Sequence, residues 1–112
     1  MAAIPLNQFK TIRHEITTSN VGIYTAPTGV ASIILYAQVS NVGAGSTTYT
    51  VTASHSRSGS DFEIVKDGYV PSNDSLVLLD GKLVLETGDV FKVQGNENGV
   101  MKLVVSILES AK

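Results

Sequence analysis

Two histidines, one serine–histidine pair, one glycine-rich turn and a scatter of carboxylates are the residues of this chain with chemical potential. A zinc or iron site draws three or four ligands together, mostly Cys and His. With 2 His and 0 Cys the ligand set is too small, so neither a metal nor a cofactor is expected. His14 and Glu15 are adjacent on a strand-like pattern and leave it on opposite faces. The same alternation turns Ser54 away from His55, and no Gly-x-Ser-x-Gly elbow surrounds any serine. Gly43-Ala-Gly45-Ser-Thr-Thr48 has two glycines of a dinucleotide fingerprint but Thr at the third position, and no Gly-Lys-Ser/Thr follows. It reads as a turn. Asp61 and Glu63 share a strand face, whereas Asp67, Asp74, Asp80, Asp89 and Glu97 fall at turns, where a carboxylate usually bonds its own backbone. Glycoside cleavage needs two carboxylates in one cleft, and no EF-hand spacing supports calcium. No residue set fills named catalytic roles, so the chain is expected not to be an enzyme.

Charge narrows the partners. Eight Lys and Arg against ten Asp and Glu give a net charge of -2. The cations are scattered singly, so direct nucleic-acid binding is not expected. No apolar run approaches membrane-spanning length, and no charged segment followed by an apolar stretch opens the chain. The absence of cysteine removes any disulfide framework and suits assembly in a reducing cytoplasm. The 41 residues 16–56 contain no Asp, Glu, Lys or Arg. Solvated surface normally carries charge, so much of this stretch is expected to be covered, by the core or by another subunit.

The elements that would position these residues are strands. No window carries the i, i+3, i+4, i+7 stripe of a helix. Strand patterns run over 11–17, 21–25, 30–42, 47–55, 62–66, 76–79, 82–86, 90–94 and 100–108, separated by Gly, Pro, Asn and Asp turns. In 30–42 the alternation assigns Ile33, Leu35, Ala37 and Val39 to the inward face. Asp67-Gly68 is expected to end a strand, and Asp80-Gly81 to close a tight hairpin between two apolar strands. The chain of 112 residues therefore predicts an all-β, single-domain antiparallel β-sandwich of about eight to nine strands, with the jelly roll as one form. Residues 1–10 form an N-terminal arm or a first strand, and 11–112 the sandwich domain.

Two segments carry a resemblance. Gly22-Ile-Tyr-Thr-Ala-Pro-Thr-Gly-Val-Ala-Ser-Ile-Ile-Leu35 and Val70-Pro-Ser-Asn-Asp-Ser-Leu-Val-Leu-Leu-Asp-Gly-Lys-Leu-Val-Leu-Glu-Thr-Gly-Asp89, with the closing Leu103-Val-Val-Ser-Ile-Leu-Glu109, resemble small virion proteins of tailed bacteriophages, cyanophage-like phages among them. The resemblance spans about residues 21–109. It implies a β-sandwich carried in many copies on a particle, as a capsid decoration or cement protein or as a neck or tail component. Implied partners are the major capsid or neck and tail proteins and further copies of the chain, with the virion as location. A carbohydrate- or receptor-binding module, on a tail fibre or elsewhere on the virion, is the alternative; host-surface glycan would then be the partner and exposed tyrosines clustered at one end its mark. For subunit contact the candidates are Ile4, Leu6 and Phe9 of the N-terminal segment and Tyr24, Tyr36, Thr48, Thr50 and Thr52 of the uncharged stretch.

Overall fold

The structure is a computed structural model that describes residues 7–111. Nine strands account for all the regular elements among them: β1 (Asn7–Glu15), β2 (Val21–Thr25), β3 (Val30–Asn41), β4 (Tyr49–Arg57), β5 (Ser60–Val70), β6 (Ser75–Val77), β7 (Leu83–Leu85), β8 (Val90–Gly95) and β9 (Met101–Ala111). They form two antiparallel sheets. One has the order β1-β9-β3-β6, with β7 also paired to β3, and the other β2-β8-β4-β5. The two sheets face each other across Ile34, Ala37, Val39, Leu103, Val105 and Ile107 on one side and Val51, Ala53, Phe91 and Val93 on the other, all buried. Each such Val, Ile, Leu or Phe contributes about 1.5–3 kcal/mol by leaving water. The all-β sandwich expected from periodicity is the observed fold.

Three local expectations are corrected. The first concerns the longest strand. The register of β3 against β9 shifts between Ile34 and Tyr36. Leu35 is the extra residue of a bulge, and a one-residue insertion exchanges the faces of everything beyond it. The inward residues are therefore Ser32 and Ile34 before the bulge and Ala37, Val39 and Asn41 after it, while Ile33 and Leu35 are only half-buried. Alternation placed Ala37 and Val39 correctly and missed the change of phase.

The second concerns Asp67-Gly68. These residues do not end a strand but lie within β5, where the pairing with β4 breaks between Val51 and Ala53. Asp67 takes φ 50° there, and Gly68 is packed so closely that a Cβ would meet Val65 at 2.7 Å and Leu76 at 2.9 Å. The third concerns Asp80-Gly81. Strands β6 and β7 do not pair with each other; both run antiparallel to β3, β6 at Gln38–Ser40 and β7 at Ser32–Ile34. They are two pieces of one interrupted edge strand, and Gly81 at φ 113° makes the jog between them.

The uncharged stretch is explained mainly by position. It contains β3, flanked by β9 on one side and by β6 and β7 on the other, and nearly all of β4, which lies between β8 and β5. Ile16, Tyr24, Ala26, Ile34, Ala37, Val39, Val51 and Ala53 are all in the chain's own core. Central strands of a sandwich leave little room for ionised side chains.

Candidate functional site

The most heavily bonded polar group is Asp89. It is 1% exposed, at the entry to β8. Arg57, at the end of β4, donates from Nε to Oδ1 at 2.8 Å and from Nη2 to Oδ2 at 2.7 Å, a bidentate pair. His55 Nε2 lies 2.8 Å from Oδ2, and the Glu86 N–H donates to the same oxygen at 2.9 Å. Arg57 also reaches Glu86 Oε2 at 2.6 Å. The Asp89 carbonyl accepts from the Ala26 N–H, and the Gly88 N–H donates back to Ala26. One carboxylate thus ties the 86–89 turn to β4, while its backbone ties that turn to the end of β2. The Arg57 hydrogen bonds hold it far below the usual carboxylate range, with His55 and the Glu86 N–H adding to the effect and burial opposing it. The sequence placed Asp89 in a turn, and the turn is real; its side-chain partners Arg57 and His55 are 32 and 34 residues away and left no local signal.

A second polar node bridges the two sheets. The Tyr24 hydroxyl donates to Glu109 Oε2 at 2.5 Å and lies 2.9 Å from Ser32 Oγ, and Lys10 reaches Glu109 Oε1 at 3.0 Å. Burial and the neighbouring carboxylate push the Tyr24 phenol up to about 12. Glu109 is held below its ordinary value, by the Tyr24 hydrogen bond first and then by Lys10. Asn41 is the third node: Nδ2 donates to the Thr47 and Val70 carbonyls and Oδ1 accepts from the Gly43 N–H, all at 3.0 Å. These nodes fix loops and strand ends. Among the described residues no three His, Cys, Asp or Glu side chains gather as a metal ion would need. His14 sits at the edge of the five-stranded sheet with Nε2 buried and unpartnered.

The outer face of the five-stranded sheet is different in kind. Register places Phe9, Leu108, Ile33 and Val84 in one row across β1, β9, β3 and β7. Thr11, Ser106 and Tyr36 form the next row, and Arg13, Val104, Gln38 and Val77 the one after. Phe9 is 71% exposed, Val84 59%, Val77 53% and Tyr36 39%. Four apolar side chains in line on a solvent-facing sheet are unusual for an isolated domain, which normally alternates apolar in and polar out. Charge appears only toward one end, as Arg13 and as the Glu15–Lys102 pair at 2.5 Å, beside Ser40 in a shallow trough.

The residues expected at subunit contacts divide among several places. Ile4 and Leu6 lie outside the described residues. Phe9 and Tyr36 are on the apolar outer face just described. Tyr24 is corrected: only 9% exposed, it points into the sandwich and serves the Glu109 node. Thr50 and Thr52 are half-buried on the far face, that of the four-stranded sheet. There the Thr52 hydroxyl accepts from the strained Asp67 N–H at 3.1 Å, and the Thr50 N–H donates to Asn96 Oδ1 at 3.0 Å. Thr48 is exposed in the preceding loop. Reading one strand at a time could not find the row Phe9–Leu108–Ile33–Val84, because its members come from four strands spread over the whole chain.

No protein-family model matches the sequence, and no curated protein matches it. Solved structures do match the fold. A chain in the acid-stable capsid of Helicobacter pylori bacteriophage KHP30 is similar over 95% of this chain and 88% of its own length, with a TM-score of 0.55 and 13% identity. A chain from Bacillus endospore appendages, a family of disulfide-linked pili, is similar over 99% of this chain and 96% of its own, with a TM-score of 0.50 and 11% identity. At such identities the likeness is one of fold. Both similar structures are of assemblies, a capsid and a pilus.

Proposed function

We propose that this chain is a structural subunit of a tailed-phage virion, of the capsid decoration or cement kind, which stabilises the particle through repeated protein–protein contacts and without catalysis. The observation that carries the proposal is the apolar outer face of the five-stranded sheet, with Phe9 and Val84 at its two margins more than half exposed. A surface of this kind is stable in water when something covers it. Many copies of one modest contact hold a particle together, because multivalency multiplies weak affinities. We read the strand order, with β1-β9-β3-β6 facing β2-β8-β4-β5, as a jelly roll, an architecture shared with viral capsid domains. The resemblance of residues 21–109 to small virion proteins and the fold likeness to a phage capsid chain support the head over the neck or tail. With 0 Cys, contacts between copies cannot be disulfides, unlike those of the pilus relative.

The glycan-binding alternative loses its main support. Tyr24 is in the core, Tyr36 lies on the outer face of one sheet and Tyr69, 73% exposed, at the margin of the other. They form no platform for a sugar ring.

The test is antibody labelling and mass spectrometry of phage particles purified from a lysate of cells expressing the gene. Expected are many copies per particle, arranged regularly on the head. Particles free of the protein would overturn the proposal.

A further inference from the structure

A sandwich of two open sheets has four margins, and each is a row of backbone donors and acceptors that another strand can use. Three are blunted here. β2 is five residues long and breaks register between Gly22 and Tyr24. β5 breaks register twice and carries the left-handed Asp67. The margin made by β6 and β7 consists of two three-residue pieces. β1 is the exception. It pairs with β9 over nine residues without a shift, from Asn7 opposite Ser110 to Glu15 opposite Lys102. Its Lys10 does not guard the margin but is drawn to Glu109 at 3.0 Å.

Which backbone groups are free follows from one bond. Ile16, the residue after β1, donates its N–H to the Met101 carbonyl at 3.0 Å, continuing the same register. N–H and C=O of successive residues point to opposite sides of a strand. The even-numbered residues of β1 are thus spent on β9, and Asn7, Phe9, Thr11, Arg13 and Glu15 present their N–H and C=O groups to a margin that no other described strand covers.

The geometry points to an antiparallel pairing of β1 with β1 of a second copy, about a two-fold axis at Thr11, joining the two five-stranded sheets into one. The proposal rests on the reading of this chain as a self-associating assembly subunit. Centred on Thr11, the pairing sets Asn7 opposite Glu15, Phe9 opposite Arg13 and Thr11 opposite its own copy, so every free donor on one strand meets a free acceptor on the other. Sliding by two residues in one direction sets Lys10 against Lys10; sliding in the other sets His14 against Lys10. Either slip also leaves one end unpaired. The Thr11 register places a guanidinium beside each exposed Phe9 ring, a favourable cation–aromatic contact, and it continues the apolar outer face from one copy into the next.

Sedimentation velocity on the full chain tests this, with Thr11→Pro as the probe. Proline removes one outward N–H and blocks the margin while leaving the bonds to β9 in place. The wild type is expected to sediment at twice the chain mass, and Thr11→Pro to dimerise at least tenfold more weakly with its circular dichroism unchanged. Thr11→Cys keeps the test decisive should the proline variant unfold. Opposed Cα atoms in a hydrogen-bonded pair lie about 5.5 Å apart, within disulfide reach, so Thr11→Cys is expected to form a covalent dimer on mild oxidation. Arg13→Cys, whose copies would stand roughly 14 Å or more apart along the strand, is not. A wild type that stays monomeric at several hundred micromolar, a folded Thr11→Pro protein that still dimerises, or cross-linking by Arg13→Cys in place of Thr11→Cys would each overturn the pairing. A monomer that still labels phage heads removes the pairing and leaves the virion reading intact; a β1 dimer absent from particles does the reverse.

Discussion

Asp89 holds together three parts of the chain that share no sequence neighbourhood, which makes it the residue whose loss the fold should feel most. Asp89→Asn keeps the volume but gives up the ionic half of the bidentate pair with Arg57. Because Arg57 is 54% exposed, water recovers part of that loss. A destabilisation of about 2–3 kcal/mol is expected, read as a lower denaturation midpoint in urea. The pH dependence follows from the direction of the shift. The folded-state pKa of Asp89 lies below its unfolded value of 3.8, so its contribution is fully present above that value and is lost as pH falls toward the folded one. Glu109, depressed from 4.5, acts in the same sense. Stability should stay level on account of these groups down to about pH 5 and fall below pH 4, and Asp89→Asn should flatten that fall. Tyr24 works in the opposite sense. Its folded pKa is raised from 10.0 to about 12, so the stability it contributes is present below pH 10 and drains away between those values. Tyr24→Phe should remove this alkaline loss and cost about 1–2 kcal/mol at neutral pH, since Glu109 and Ser32 lose their partner. Thermal melts across the two pH ranges check both. The turn chemistry around Asp89 was legible, as turn aspartates generally are. The ion pair was not, because Arg57 and Asp89 meet only through the pairing of β4 with β8.

At the scale of elements, strand existence and strand phase had different fates. Every segment with a strand pattern is a strand, because alternating β-branched residues between Gly, Asn and Asp turns leave few other ways to bury apolar surface. Phase was lost in β3, where Ile33-Ile34-Leu35 offers three consecutive residues that suit either face, so the bulge at Leu35 leaves no trace in polarity. The Asp80-Gly81 hairpin failed for a related reason. A turn dipeptide states that the chain changes direction locally, but β3 offers both following and preceding segments a longer partner than they offer each other. Close packing between elements yields a sharper prediction at Gly95, the end of β8. A Cβ there would stand 2.7 Å from Ile16 Cγ2 and 2.7 Å from Met101 Cε. Ile16 is fully buried and cannot retreat. Gly95→Ala should therefore cost about 1–3 kcal/mol by overpacking, with folding still cooperative in a denaturant titration.

For the whole molecule, the contact role proposed for the apolar outer face can be tested apart from folding. Val84 is 59% exposed and touches none of the polar nodes. Val84→Asp should leave stability within about 0.5 kcal/mol of wild type, as surface changes usually do. It should nevertheless lower the copy number on purified particles several-fold, measured by quantitative mass spectrometry. An unchanged copy number would point to contacts elsewhere, with exposed Phe62 and Tyr69 of β5 the next surface to alter.

β9 has a consequence for how the molecule is made. It lies in the middle of its sheet, with β1 on one side and β3 on the other, although those two strands are synthesised first. Until residues 101–111 leave the ribosome, the early strands flank an empty slot one strand wide, and the Tyr24 hydroxyl has no carboxylate to meet. A message broken before β9 therefore yields a product with a gap through its centre, open to proteases and unable to present a continuous face. A copy without β9 lacks the central strand of that face, so an assembly built through the face would leave such fragments out.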